Sequence, residues 1–123
     1  MPAPEMLDVI RVVATPHAIA SLESDGTVLQ VAPDEALVLD ATDVAVDDPH
    51  AIVVADDGYV GVQLDRRTVE DWCQREADWP LPELVSYFTQ GMVAGLAVKI
   101  WMNGEVGLVM CRTSLAAALE DRL

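Results

Sequence analysis

Short apolar runs bounded by turn residues recur along the chain, and they predict β-strands because Val and Ile are frequent in them. A run over 27–32 and another over 36–40 flank the turn Pro33-Asp34-Glu35, which predicts a hairpin. Two further pairs of runs are separated by Asp-Gly and Asn-Gly steps, which are strong short-range hairpin signals. The strands expected from these patterns, after a first strand over 7–13, are 51–55 with 59–64 and 92–102 with 105–111.

Three segments carry the signals of a helix. Thr15 followed by Pro16 predicts an N-cap and a first turn, in a short helix that ends near Glu23. Two longer helices follow a polar cap and have one apolar stripe at helical spacing, so each is expected to bury one face. Their caps and extents are Asp65 before 66–77 and Thr113 before 114–123. The stripes are Val69, Trp72, Cys73 and Ala77 in the first, and Leu115, Leu119 and Leu123 in the second.

A hairpin followed by a helix occurs twice in this pattern, over 51–77 and over about 92–123, so we predict two β-β-α units. The expected fold class is α+β, an antiparallel sheet of hairpins with two or three helices packed on one face. The chain length fits a single domain over 1–123. The segment from Leu84 to Gln90 is compatible with a helical turn or with the start of a long strand, and strand order does not follow from the pattern.

The composition is that of a folded, strongly acidic protein. Hydrophobic residues make up 52% of the 123 residues, which argues against disorder, and the net charge is −14 with Lys99 as the only lysine. Thirteen acidic residues and Arg11 alone fall within 1–65. A phosphate backbone or an anionic bilayer would be repelled, so neither nucleic acid nor membrane is expected as a partner. The first residues lack the regions of a secretory signal, which predicts a cytoplasmic protein with free thiols at Cys73 and Cys111.

The sequence contains no strong catalytic signature. A G-x-S-x-G nucleophile elbow, a P-loop and a G-x-G-x-x-G dinucleotide fingerprint are all absent. His17 and His50 fall in different predicted elements, which argues against a zinc site. Acidic residues also cluster, but their spacing does not match a calcium loop, so a solvated acidic loop is favoured over a cation site. They are Asp40, Asp43, Asp47 and Asp48, with Asp56 and Asp57 in the next turn. We therefore predict no catalytic residue, no cofactor and no metal.

The few aromatic residues supply the candidate interface. For each of them, packing in the core or at its rim competes with a role as a contact anchor, since Trp and Tyr are enriched at binding hot spots. Trp79 lies in a loop bounded by prolines, so it is expected to be the most exposed of them. The candidate interface residues are Trp79, Tyr87 and Phe88.

Three stretches, taken in order, resemble a known family. They are VLQVAPDEALVL over 28–39, DDGYVGVQLDRRTVEDWCQREADW over 56–79, and FTQGMVAGLAVKIWMNGEVGLVMCRTSLAAALEDRL over 88–123. Together they resemble the gamma subunit of heterotetrameric sarcosine oxidase, whose family shares the fold of the aminomethyltransferase/YgfZ group. In that family the gamma chain is non-catalytic, and the flavin, NAD and folate chemistry belongs mainly to the larger subunits. The resemblance therefore implies an accessory role, with no cofactor held by this chain.

The function expected from these observations is that of a non-catalytic accessory or interaction subunit. Its partner would be a larger protein subunit, such as one of an amine-oxidase-like complex, or further copies of itself in a homo-oligomer. The alternative is a binding module for a small, folate-type ligand, which requires a real pocket. The hypothesis of an independent enzyme ranks below these two, because no nucleophile–base pair is recognisable in the sequence.

Overall fold

Eleven β-strands and three short α-helices account for most of residues 3–123, which the computed structural model describes. The strands are β1 (Glu5–Met6), β2 (Val9–Val13), β3 (Glu23–Ser24), β4 (Thr27–Ala32), β5 (Glu35–Leu39), β6 (Val44–Ala45), β7 (Ile52–Ala55), β8 (Tyr59–Asp65), β9 (Ser86–Val93), β10 (Leu96–Asn103) and β11 (Val106–Arg112). The helices are α1 (Pro16–Ala20), α2 (Arg66–Glu76) and α3 (Ala116–Arg122), and a 3₁₀ turn over Thr113–Leu115 precedes α3. The fold class is α+β with antiparallel sheets, as the sequence predicts.

The chain divides into two compact units. The N-terminal unit is Leu7–Asp57, and the C-terminal unit consists, within the described residues, of 3–6 and 58–123. Each unit contains its own antiparallel sheet, so the strands are not combined in one sheet as the pattern suggests. The single domain over 1–123 stays a prediction, and residues 1–2 of that range lie outside the described residues.

The C-terminal unit is a five-stranded sheet in the order β1-β8-β11-β10-β9. Alternate side chains of β10 point to one face of this sheet, because the side-chain period of a strand is two. Both α2 and α3 contribute side chains to the core on this face, so the two helices together cover one face of the sheet. Fully buried members of this core are Val69, Trp72, Val98, Ile100, Met102 and Leu119.

Trp72 is the largest side chain of this core, and it connects the two helices. It is 2% exposed, and its indole N–H donates to the backbone carbonyl of Arg122 at 2.8 Å. A buried indole N–H without an acceptor would be costly, and here the end of α3 supplies that acceptor. Gly107 of β11 lets α2 approach closely, since a Cβ atom there would lie 2.9 Å from Cγ2 of Val69.

The N-terminal unit is built on a four-stranded sheet in the order β4-β5-β2-β7. The hairpin of β4 and β5 around Pro33 is found where the pattern predicts it. Helix α1 begins as predicted, with Pro16 in its first turn and the hydroxyl of Thr15 accepting from the backbone N–H of Ala18 at 3.3 Å. It ends at Ala20, before the predicted end near Glu23, because the chain enters β3 there and pairs with β6.

The hairpin predicted over 51–64 does not form. Strand β7 pairs with β2, with Val53 opposite Val12, whereas β8 lies between β1 and β11 in the other unit. Residues 56–58 form an irregular connection instead of a tight turn. Apolar runs beside an Asp-Gly step fit any partner strand that offers a matching apolar face, so local pattern does not determine pairing. The first predicted β-β-α unit, over 51–77, is therefore wrong. The second predicted unit is found, because β10 and β11 form a hairpin that is followed by α3.

The strand predicted over 92–102 is interrupted by a turn at Ala94 and Gly95. Both residues have positive φ, 53° and 77°, and Val93 pairs with Leu96 across the turn. Positive φ at both central residues defines the type I′ hairpin turn. Alanine rarely adopts this conformation, so the sequence gives no signal for it.

The second turn of the meander lies one residue later than the predicted Asn103-Gly104. Asn103 still pairs with Val106, so the two loop residues are Gly104 and Glu105. Among the described non-glycine residues only Asp40 and Ala94 have positive φ, so Gly104 alone is left-handed in this turn, with φ 65°. A glycine at the first central position is typical of a type II′ turn, whereas an Asn-Gly step favours type I′.

The ambiguous segment from Leu84 to Gln90 is extended, since β9 begins at Ser86. Asp65 precedes α2 as predicted, although its carboxylate makes no capping hydrogen bond. The predicted cap at Thr113 is wrong, because Thr113 is the first residue of the 3₁₀ turn and α3 begins only at Ala116. None of the helices in residues 3–123 combines the length and apolar character needed to cross a bilayer.

Candidate functional site

An open groove of about 800 Å³ runs along α2 in the C-terminal unit. One wall is the exposed side of α2 around Arg66 and Glu70, and the other is the connecting segment over 77–83 that leads to β9. Two prolines in this segment, Pro80 and Pro82, each have a fixed φ and no backbone N–H, which keeps the segment out of regular structure. The groove is therefore lined by a short, conformationally restricted chain on one side and a helix on the other.

Arg66 holds the far end of this segment in place. Its guanidinium donates to the backbone carbonyls of Leu84 (Nη2, 2.6 Å), Val85 (Nη1, 2.6 Å) and Gly104 (Nη1, 2.9 Å). Nε of the same side chain lies 3.5 Å from Oε2 of Glu70, one helical turn away. A guanidinium fork is suited to such a task, because its donors are coplanar and always charged.

The two residues whose backbone carbonyls Arg66 binds in this segment, Leu84 and Val85, have apolar side chains that face solvent. Leu84 is 59% exposed and Val85 is 73% exposed. The N–H of Gly104 also donates to the carbonyl of Val85, at 3.2 Å, so this backbone is fixed from two sides. Two adjacent apolar side chains on an ordered backbone, next to a groove, form a preorganised contact surface. We refer to Leu84, Val85 and the adjoining groove as the clamp surface.

Trp79 is half-buried and belongs to the wall of this groove. Its indole N–H donates to the carbonyl of Met92 at 2.8 Å, and its ring lies on Gly91 of β9. A Cβ atom at Gly91 would stand 2.7 Å from ring carbons of Trp79, so only glycine allows this approach. Trp79 therefore attaches the connecting segment to the sheet, and it is less exposed than its loop position suggests.

Tyr87 and Phe88 are the second and third residues of β9, and they point to opposite faces of the sheet, as successive strand residues do. Tyr87 packs against the core of the C-terminal unit, on the face that the helices cover. Phe88 is half-buried and lies opposite Trp101 on β10. The structure thus brings Trp79 close to the clamp surface, and it separates the other two candidate residues by the sheet.

The hydroxyl of Tyr87 is buried, and among residues 3–123 it has no hydrogen-bond partner. Burial raises the pKa of Tyr87 above its ordinary value. We expect Tyr87→Phe to leave stability unchanged or to raise it by up to about 1 kcal/mol, because it removes a desolvated group that gains nothing in return. Urea denaturation of the two proteins measures the difference, and a clear loss in the variant would mean that the hydroxyl is bonded in solution.

Arg66, Leu84 and Val85 are the residues that sequence reasoning missed. One signal for Arg66 exists in the sequence. Helix α2 begins with two arginines and has no acidic residue in its first turn, which is unfavourable next to the positive end of the helix dipole. An arginine at that position therefore indicates a role outside the helix, and Arg66 has one in donating hydrogen bonds to three backbone carbonyls. The exposure of Leu84 and Val85 has no comparable signal, since both are ordinary strand-forming or core residues.

The two side chains with the largest pKa shifts, Cys73 and Asp25, owe these shifts to burial and to local hydrogen bonds. Burial raises the pKa of the Cys73 thiol to about 11, so it stays protonated and poorly nucleophilic at neutral pH. The carboxylate of Asp25 accepts from the hydroxyl and N–H of Thr42 and the N–H of Asp43, and these bonds lower its pKa to about 2. Within residues 3–123, no three His, Cys, Asp or Glu side chains are grouped so that they could hold a metal ion.

In comparisons with family models, curated proteins and solved structures, nothing matches this chain. The resemblance to the sarcosine oxidase gamma subunit therefore stays a prediction from three sequence stretches. The function has to be inferred from the geometry described above.

Proposed function

We propose that this chain is a non-catalytic accessory or interaction domain, resembling the gamma subunit of heterotetrameric sarcosine oxidase, and that it docks onto a larger protein subunit through the clamp surface. The observation that carries this proposal is the hold of Arg66 on the backbone of Leu84 and Val85. Three hydrogen bonds from Arg66, whose side chain is 19% exposed, fix a backbone that presents two largely exposed apolar side chains.

The energetics favour binding by such a surface. Covering an exposed leucine or valine side chain contributes about 1.5–3 kcal/mol. If the loop were flexible, the entropic cost of ordering it would offset much of that gain. The hydrogen bonds of Arg66 order the backbone when the protein folds, so this cost does not arise on binding. The acidic side chains around the groove, Glu70, Asp78 and Glu83, then form the polar rim that surrounds an apolar contact.

A pull-down with matched variants tests the proposal. The tagged wild-type chain, Leu84→Asn/Val85→Thr and Val28→Thr are produced in the source organism and isolated gently at low salt. We expect the wild type and the Val28→Thr control to retain one larger protein in fixed stoichiometry. The double variant, which keeps side-chain shape but loses apolar surface, is expected to retain it about ten- to hundredfold less well.

Two outcomes contradict the proposal. The first is a wild-type chain that elutes as a lone monomer in light scattering. The second is equal retention of the larger protein by the double variant and the wild type. Folding of each variant is checked by circular dichroism, so that loss of binding is not loss of structure.

The groove favours a second candidate function, a binding module for a small, folate-type ligand. A volume of about 800 Å³ lies within the range of small-molecule sites, and the groove combines an aromatic ring at Trp79 with the charges of Arg66 and Glu70. Calorimetry with reduced folates separates the two candidates, since the accessory role requires no heat of binding. The absence of heat at millimolar ligand would end the second candidate.

A further inference from the structure

Strand β7 is an apolar edge strand with both faces open to solvent. It is the last strand of the sheet in the N-terminal unit. Its residues Ile52, Val53 and Val54 are 53%, 44% and 46% exposed. Because successive side chains point to opposite faces, solvent reaches the strand from above and from below.

The outer edge of β7 carries backbone groups that no other strand within residues 3–123 pairs with. The N–H of Asp56 donates to the carbonyl of Val9, and the register continues from this pair along β2. In an antiparallel ladder the residues that bond inward alternate with those that point outward. Val54 therefore bonds to β2, and Val53 and Ala55 direct their N–H and C=O groups to the outside, where no further strand of residues 3–123 lies.

The other edges of the two larger sheets carry features that hinder pairing with another strand. Strand β4, at the opposite edge of the same sheet, has an irregular register between Gln30 and Ala32. In the C-terminal sheet, β1 has two residues only, and the end of β9 is bridged by Ala77 and bonded by Trp79. Strand β7 has neither a bulge nor a proline or lysine, which are the usual protections of an edge.

The charge around β7 selects the kind of strand that could pair with it. Asp47 and Asp48 precede the strand, and Asp56 and Asp57 follow it. The N-terminal unit contains eleven acidic residues against one arginine, Arg11, whose guanidinium is bound to Glu35 at 3.1 and 3.2 Å. An incoming strand thus meets an apolar centre with negative charge at both ends.

We propose that the outer edge of β7 binds an extended segment of another protein as an additional β-strand, and that this segment has apolar residues at alternate positions and Lys or Arg at both ends. Backbone hydrogen bonds to Val53 and Ala55 supply the pairing, and the flanking aspartates select the basic ends. The inference rests on the proposed function only in taking the chain to be an interaction domain. It concerns a different surface in the other unit.

A second copy of this chain is a poor occupant of the same edge. Antiparallel pairing of two β7 strands would bring Asp47 and Asp48 of one copy close to Asp56 and Asp57 of the other. Like charges directly opposite are destabilising, and four carboxylates would meet at each end of the strand pair. A basic partner reverses the sign of this interaction.

Synthetic peptides test the inference on the full chain. The probe is RRVTVTVRR, and the controls are EEVTVTVEE and RRVTPTVRR. We expect the probe to bind with an affinity that falls as salt rises, and to protect the amides of Val53 and Ala55 from hydrogen exchange. Both controls are expected to bind at least about tenfold more weakly.

Three variants make the test specific. Val53→Pro removes one outward N–H and leaves the ladder to β2 intact, so the probe should bind about tenfold more weakly or worse. Asp47→Asn/Asp57→Asn should weaken binding about three- to tenfold and reduce its salt dependence. Leu84→Asn/Val85→Thr should bind the probe like the wild type, which separates this inference from the proposed function.

Several results would overturn the inference. These are equal binding of the basic and acidic peptides, unchanged binding by Val53→Pro, and no change at Val53 and Ala55 with millimolar probe. A dimer of the chain alone, with those two amides protected, would likewise assign the edge to a second copy.

Discussion

Replacing Trp72 with alanine is expected to lower the free energy of unfolding of the C-terminal unit by about 3–5 kcal/mol. The side chain is almost completely buried between α2, α3 and the sheet, so its removal leaves a cavity that the surrounding helices fill only in part. The carbonyl of Arg122 also loses its indole donor. Urea denaturation followed by circular dichroism measures the change, since fluorescence would be altered by the substitution itself.

Trp101→Ala is the matched control for this prediction. Trp101 is half-buried and lies outside the buried core of the C-terminal unit. Its removal should cost about 1–2 kcal/mol, which is the usual range for a partly exposed position. Equal losses for the two tryptophans would mean that Trp72 does not anchor the helices in the way described.

Replacing Arg66 with methionine is expected to cost about 2–3 kcal/mol, because three hydrogen bonds from a charged donor are lost together. Methionine retains most of the apolar stem of the arginine, so the loss reports the guanidinium. The backbone at Leu84 and Val85 should then exchange its amides faster and become a site of proteolysis. Hydrogen exchange read by mass spectrometry and limited proteolysis measure this local effect, and urea denaturation gives the total.

Two neighbours make this prediction sharper. Arg67→Met changes the next residue, which is exposed, and should leave stability within about 0.5 kcal/mol of the wild type. Arg66→Lys keeps the charge and loses the planar fork, so it should fall between the wild type and Arg66→Met. If Arg66→Lys behaved like the wild type, charge alone would hold the segment and the fork would be irrelevant. Arg66→Met should also weaken partner binding, although Leu84 and Val85 are still present.

The parts of the fold that were predictable from sequence are those set by local chemistry. The turn at Pro33 and the cap at Thr15 are examples, because each depends on residues within a few positions of one another. The buried stripe of α2 was predictable for the same reason, since helical spacing alone puts Val69, Trp72 and Cys73 on one face.

The parts that were not predictable depend on contacts between distant segments. Strand β7 was recognisable as a strand, but its partner is β2 and not its neighbour in sequence. The turn at Ala94 escaped because tertiary packing imposes a left-handed conformation that alanine does not favour. The candidate site shows the same limit, because Arg66 binds carbonyls 18 and 19 positions away. The two arginines at the start of α2 indicate an unusual role, but local pattern does not identify these acceptors.

The pairing of β1 with β8 has a consequence for how the polypeptide acquires its structure. Met6 lies opposite Val60, so the whole segment Leu7–Asp57 is inserted into what would otherwise be a short hairpin. The meander from β9 to β11 closes through two-residue loops and can form early, whereas β1 can join only after a long excursion of the chain. The entropy of closing such a loop rises only with the logarithm of its length, and an insert that is already folded has fewer conformations left to lose. Folding of the insert first would therefore make the final strand addition at β1 easier.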